Sequence, residues 1–202
     1  MTPLARTDGV DPDAVLLMAF SNGDGDAARR LAQRLTPLVL TLAVRMLGNL
    51  AEAEEIAQEA MMRLWQIAPD WRPNEARLST WMYQVGLNLC TDRLRRRRSM
   101  IDVSELPGLV DTAPAAPEQI LMQTRHRALA DALACLPERQ AAAVSLRHLE
   151  GLSNPEIAEI MDIGVEAVES LVARGKRALA ALLVDRRREL GFQDEWSPLV
   201  RT

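Results

Sequence analysis

Little in this sequence can build a metal site, a disulfide framework or a sheet. Cys90 and Cys135 are the only cysteines and His126 and His148 the only histidines, and none sits at a paired-ligand spacing. Each cysteine lies in an apolar helical context, so both are expected to act as small buried hydrophobes. Aromatics make up 3% of a chain that is 48% hydrophobic, so the core must be aliphatic. No sustained period-two run of β-branched residues occurs, which argues against a sheet. No apolar stretch approaches the roughly 20 residues that span a membrane, and the start has no apolar run with a cleavage site. A cytoplasmic location without membrane insertion is expected. No Ser-His-acid set and no Gly-rich phosphate loop appears. Catalytic residues, cofactor and metal are all expected to be none. Lys176 is the only lysine, so almost all positive charge is arginine. The net charge of −4 argues against indiscriminate coating of nucleic acid.

What remains is helix former: Leu, Ala, Met, Arg and Glu. The pattern predicts helices over residues 13–20, 26–47, 51–67 and 79–98. Asp26 is expected to cap the second, whose stripe is Leu31, Leu35, Leu38, Leu42 and Met46. Ala53, Ile56, Ala57, Ala60 and Leu64 should face inward on the third, and Met82, Val85, Leu89 and Leu94 on the fourth. Residues 99–117 hold Pro107-Gly108 and the run Ala113-Pro114-Ala115-Ala116-Pro117, which reads as a flexible linker. Helices resume at Glu118 and run, broken at Pro137, to about Leu190; residues 191–202 form a tail without clear signal. The fold class is all-α: two small helical domains, 11–98 and 118–190, joined by that linker.

Residues 151–176 have the layout of a helix-turn-helix. Ser153 and Glu156 make a capping box, and Pro155 suits an early helical position. Ile157, Ala158 and Met161 face inward. Asp162-Ile163-Gly164 supplies the break, and Val165, Val168, Leu171 and Val172 recur at helical spacing in the second helix. Charge is segregated elsewhere. Glu52, Glu54, Glu55 and Glu59 gather on one helix, with Glu52, Glu55 and Glu59 on one face. Arg93 and Arg95 to Arg98 form a basic cluster.

Three motifs make the reading specific. The first is Arg45-Met46-Leu47-Gly48-Asn49-Leu50-Ala51-Glu52-Ala53-Glu54-Glu55-Ile56-Ala57-Gln58-Glu59, closed by Trp65. The second is Ser79-Thr80-Trp81-Met82-Tyr83-Gln84-Val85-Gly86-Leu87-Asn88, followed by Asp92 and the arginines. Together they resemble region 2 of the extracytoplasmic-function sigma factors, the group 4 branch of the sigma-70 superfamily. Leu136-Pro137-Glu138-Arg139-Gln140, then Leu149 to Ser153 and the helix-turn-helix, resembles region 4 of the same family.

The resemblance implies a non-enzymatic subunit that binds core RNA polymerase through its beta and beta-prime subunits and opens promoter DNA. It further implies control by a cognate anti-sigma factor. Glu52, Glu55, Gln58 and Glu59 match the helix that docks on the largest polymerase subunit. For the minus-ten element the matching residues are Trp71 and Arg72 in a loop that pockets a flipped base, then Tyr83, Asn88, Arg93, Arg95 and Arg96. Stacking aromatics beside a basic track is what unpaired bases require. Trp81 stands equally as a stacking group and as core, and Asp92 as a partner for a neighbouring arginine. Glu169, Ser170, Ala173, Arg174 and Arg177 match the minus-thirty-five reader, where arginine contacts guanine and glutamate accepts from cytosine. The family often carries a basic residue where this chain has Glu169. A conventional helix-turn-helix regulator is the competing reading, but it needs an effector or dimerisation domain in the first block.

Overall fold

The computed structural model describes residues 11–72, 76–101 and 117–184, and among these every regular element is a helix. The first block comprises α1 (Pro12–Ser21), α2 (Gly25–Leu47), α3 (Leu50–Ile67), a short 3-10 turn at Ala68–Asp70 and α4 (Leu78–Ile101). The second comprises α5 (Pro117–Ala134), α6 (Glu138–Val144), a π turn at Ser145–Leu149, α7 (Asn154–Met161) and α8 (Val165–Leu183).

Caps set the boundaries. Asp11 caps α1, its Oδ1 accepting from Asp13 N at 3.0 Å, while its Oδ2 accepts from Leu78 N at 2.7 Å. One carboxylate thus joins the starts of α1 and α4. Leu78 is fully buried, so removing that acceptor strands an N–H away from water. Asp11→Ala is expected to destabilise the chain by about 1–2 kcal/mol, and Asp11→Asn by clearly less. Chemical denaturation of both variants checks this.

The cap of α2 is Asp24 rather than Asp26. Its Oδ1 reaches two free N–H groups, Asp26 N at 2.9 Å and Ala27 N at 3.2 Å. Asp26 lies in the first turn and pairs with Arg29 at 2.9 Å. Leu31, Leu35, Leu42 and Met46 are buried as their spacing predicts, but Val39 is buried and Leu38 only half-buried. The reason is that α2 is covered by α3, α4 and α5 together, so its apolar face is broader than one stripe. All five inward positions expected on α3 are buried; on α4, Met82, Val85 and Leu94 are buried and Leu89 is half-buried. Cys90 is buried, but Cys135 is exposed. It lies in the turn after α5, where Leu133 and Leu136 take the interior instead.

The two blocks are packed together. Leu146, Ile157, Ala158, Ile160 and Val168 of the second share one apolar cluster with α1 to α4. The π turn and α5 rest on α2, and α7 rests on α4. This explains a difference on α7: Ile160 is buried and Met161 half-buried, because the helix covers α4 as well as α8. Gly48 ends α2 in the left-handed region (φ 65°). A Cβ there would stand 2.8 Å from Ala130 Cβ, so α5 crosses where the end of α2 offers no side chain. Helix α4 continues through Ile101 and α5 starts at Pro117, so helix enters both ends of the expected linker. The rest of the linker, residues 185–190 and the tail lie outside the described residues.

Candidate polymerase and nucleic-acid interfaces

The acidic row is set by a tight break. Gly48 ends α2 and Asn49 starts α3, its Oδ1 accepting from Glu52 N at 3.2 Å. The carboxylates then meet the arginines of α4. Glu52 takes Arg93 at 3.3 Å and Arg97 at 2.7 Å, and Glu55 takes Arg93 at 2.9 Å. Arg97 also donates to the Leu47 carbonyl at 3.0 Å, satisfying the end of α2. Glu59 pairs within its own helix with Arg63 at 2.9 Å. The hydrogen bond to Glu55 is the main reason Arg93 holds its proton even more firmly than usual. The row therefore divides. The Glu52 side chain is 24% exposed and braces α3 against α4, whereas Glu55 is 64% and Glu59 51% exposed. Gln58 is exposed beside them. A groove of about 370 Å³ runs between Glu55, Glu59, Arg63, Asp92, Arg93 and Arg96.

On α4 the expected minus-ten residues fall into three groups. Asn88 and Arg96 are exposed, as is Arg72 just after the 3-10 turn. Arg93 and Arg95 are held by carboxylates. Arg95 grips Glu138 of α6 with two bonds of 2.8 and 3.1 Å and meets Asp92 at 3.4 Å. The aromatics are partly or fully covered. Trp71 packs edge-on against Trp81, ring centroids 6.1 Å apart, and its indole N–H is buried with no acceptor among the described residues. Trp81 is half-buried and packs against the core.

Tyr83 is only 9% exposed. Its hydroxyl lies beside the Glu150 carboxylate, which takes Arg45 Nη1 at 3.0 Å. Arg45 donates in addition to the Leu149 carbonyl. Burial, then the Glu150 charge, pushes the Tyr83 phenol up to about 12 from its ordinary 10.0. Burial likewise raises the Glu150 carboxyl, against the pull of Arg45. A raised folded-state value favours the neutral phenol. Its contribution to stability is thus complete below pH 10 and is lost as pH climbs through about 12. A spectrophotometric titration of this single tyrosine should show ionisation near 12. Glu150→Gln should lower that midpoint while burial keeps it above 10. A midpoint at the free-tyrosine value would contradict the packing described.

The helix-turn-helix forms as its sequence predicts. Ser153 Oγ at 2.6 Å and Ser153 N at 2.8 Å both donate to Glu156 Oε2 in a complete capping box, and the hydroxyl first, then the backbone, hold the Glu156 carboxyl below its usual range. The turn itself is made by Asp162, left-handed at φ 50°, while Gly164 is an extended N-cap for α8. Helix α8 buries Val168, Gly175 and Leu179. Glu169, Ser170, Ala173, Arg174 and Arg177 all lie exposed on its other side. Arg174 is steadied by Ser170, with 2.8 Å from Nη2 to Oγ. Asn154 of α7 approaches Glu169 at 3.5 Å. Missed at the sequence level were Arg45, Glu138 and Glu150, which join the blocks. Their charges were visible, but a pairing 105 residues apart carries no periodicity.

Among the described residues no helix is long and apolar enough to cross a membrane. The chain matches two family models, "Sigma-70 region 2" over residues 31–100 and "Sigma-70, region 4" over residues 126–179. It is 30% identical over 173 residues to the ECF RNA polymerase sigma factor SigW of Bacillus subtilis, covering 81% of this chain and 92% of that protein. Against SigE of Mycolicibacterium smegmatis, also an ECF sigma factor, identity is 33% over 183 residues, covering 86% and 70%. Among solved structures, CnrH in complex with the cytosolic domain of CnrY aligns with a TM-score of 0.61 at 22% identity, covering 86% of this chain and 97% of that one. The sigma factor RpoE in complex with the anti-sigma factor NepR from Bartonella quintana aligns at 0.55 and 20% identity, covering 77% and 96%.

Proposed function

Because this chain belongs to the extracytoplasmic-function sigma factors of the sigma-70 family, which join core RNA polymerase and direct promoter recognition, we propose how its residues divide that work. Residues 11–98 act as region 2 and residues 118–190 as region 4, tethered through 99–117. Glu52, Glu55, Gln58 and Glu59 dock on the polymerase. Trp71, Arg72, Tyr83, Asn88, Arg93, Arg95 and Arg96 engage the minus-ten element. Glu169, Ser170, Ala173, Arg174 and Arg177 engage the minus-thirty-five element. The chain performs no catalysis of its own, works in the cytoplasm, and is restrained by a cognate anti-sigma factor, a reading supported by the likeness to RpoE of Bartonella quintana, which was solved in complex with the anti-sigma factor NepR.

The carrying observation is the exposed α8 face on the same chain as an acidic α3 and an aromatic, arginine-bearing α4. Exposed Arg174, pre-oriented by Ser170, can present a fork to a guanine edge. The test adds the purified protein to core polymerase with promoter templates. Promoter-specific transcripts that depend on the protein are expected. Transcription unchanged by its addition would overturn the reading.

A further inference from the structure

The contacts between the blocks fall unevenly on the two DNA-reading faces. The whole α8 face is open, whereas two minus-ten residues on α4 are taken by carboxylates of the second block. Glu138 of α6 holds Arg95 with a two-bond fork. Glu150, at the end of the π turn and 6% exposed, sits against Tyr83 and is neutralised by Arg45. Around these pairs the apolar contact is continuous: Leu146, Ile157 and Ile160 complete the same cluster as Leu42, Met46 and Met82. Gln84 of α4 adds a bond to the Glu159 carbonyl at 3.3 Å. A carboxylate pair facing a stacking tyrosine and a phosphate-binding arginine occupies what a nucleic-acid strand would otherwise occupy.

We propose that Glu138 and Glu150 form a built-in latch. In the free chain it closes the second block over the minus-ten reader and leaves the minus-thirty-five reader open, so Tyr83 and Arg95 reach single-stranded DNA only after the latch releases. The masking rests on the minus-ten assignment of Tyr83 and Arg95; the closure does not. An Arg45-neutralised Glu150 is the keystone, because removing Arg45 leaves the buried Glu150 charge uncompensated.

The experiment uses full-length protein alone. Small-angle scattering of the wild type should match the closed arrangement. Arg45→Ala and the double variant Glu138→Gln/Glu150→Gln should both raise the radius of gyration at unchanged helical circular dichroism. Binding of a fluorescein-labelled, mixed-sequence single-stranded DNA should tighten about tenfold in both, the gain expected when the competent form is about a tenth of the wild-type population. The two variants change net charge in opposite directions, so a shared gain cannot come from charge alone. Tyr83→Ala in either background should abolish the gain. A wild type already extended in scattering, or variants as compact as wild type, overturns the latch. Expansion without any gain in binding upholds the latch and overturns the minus-ten reading of Tyr83.

Discussion

Replacing Gly175 with alanine is expected to destabilise the second block, although the same change in an exposed helix would stabilise it by about 1 kcal/mol. Gly175 lies inside α8 where α6 crosses it. A Cβ built there would stand 2.5 Å from Val144 Cγ2 and 3.1 Å from the Gln140 carbonyl oxygen. Val144 is 3% exposed and packed among Leu133, Leu136 and Leu179, so its methyl has no free space to enter. The carbonyl is backbone of α6 and moves only with that helix. Overpacking of this kind costs roughly 1–3 kcal/mol, which exceeds the propensity gain. The net loss should be up to about 2 kcal/mol, lowering the unfolding temperature by up to several degrees. Because α8 must shift to admit the methyl, the Glu169 to Arg177 face shifts with it. Thermal unfolding followed by circular dichroism reads the first effect. A temperature equal to or above that of the native chain would show that α6 and α8 are not in contact as described.

Gly175 also marks where sequence reasoning reaches its limit. A glycine inside a helical pattern announces a close approach but not its partner, here Val144 and the Gln140 backbone of α6. Local features were legible because local physics sets them. The Ser153–Glu156 capping box, the Gly48-Asn49 break, the inward face of α3 and the exposed face of α8 follow from spacing alone. What depends on contact between distant segments was not legible. Val39 displaces Leu38 from the interior because α2 is packed by α1, α3, α4 and α5. Ile160 is buried because α7 covers α4. Tyr83 reads as a surface aromatic until Glu150 closes over it. The exposure of Glu169, Ser170, Ala173, Arg174 and Arg177 was therefore legible position by position. The aromatic and basic composition of α4 was legible too, but not its coverage by the second block.

Reversing both Glu55 and Glu59 to lysine is expected to abolish binding to core polymerase while leaving the fold intact. The structure explains why these two, and not Glu52, are the discriminating pair. Glu52 joins Arg93 and Arg97 and is largely covered, so its reversal would place three positive groups together and loosen α3 from α4. Any loss of binding would then be a loss of structure. Glu55 and Glu59 each make one exposed ion pair, with Arg93 and Arg63. Such pairs contribute roughly 0–1 kcal/mol apiece, and Arg93 keeps Glu52 as its second partner. Against a basic docking surface the same reversal turns two attractions into two repulsions, and like-charge juxtaposition at an interface costs several kcal/mol. A loss of affinity of roughly 100-fold or more follows, since each 1.4 kcal/mol is about tenfold. The measurement is a pull-down on immobilised core enzyme, with the unfolding transition recorded on the same samples. Unchanged affinity would move the docking surface away from α3. Lost affinity with a native-like transition would fix it on the outer half of the acidic row, with Glu52 as the brace that holds the row in place.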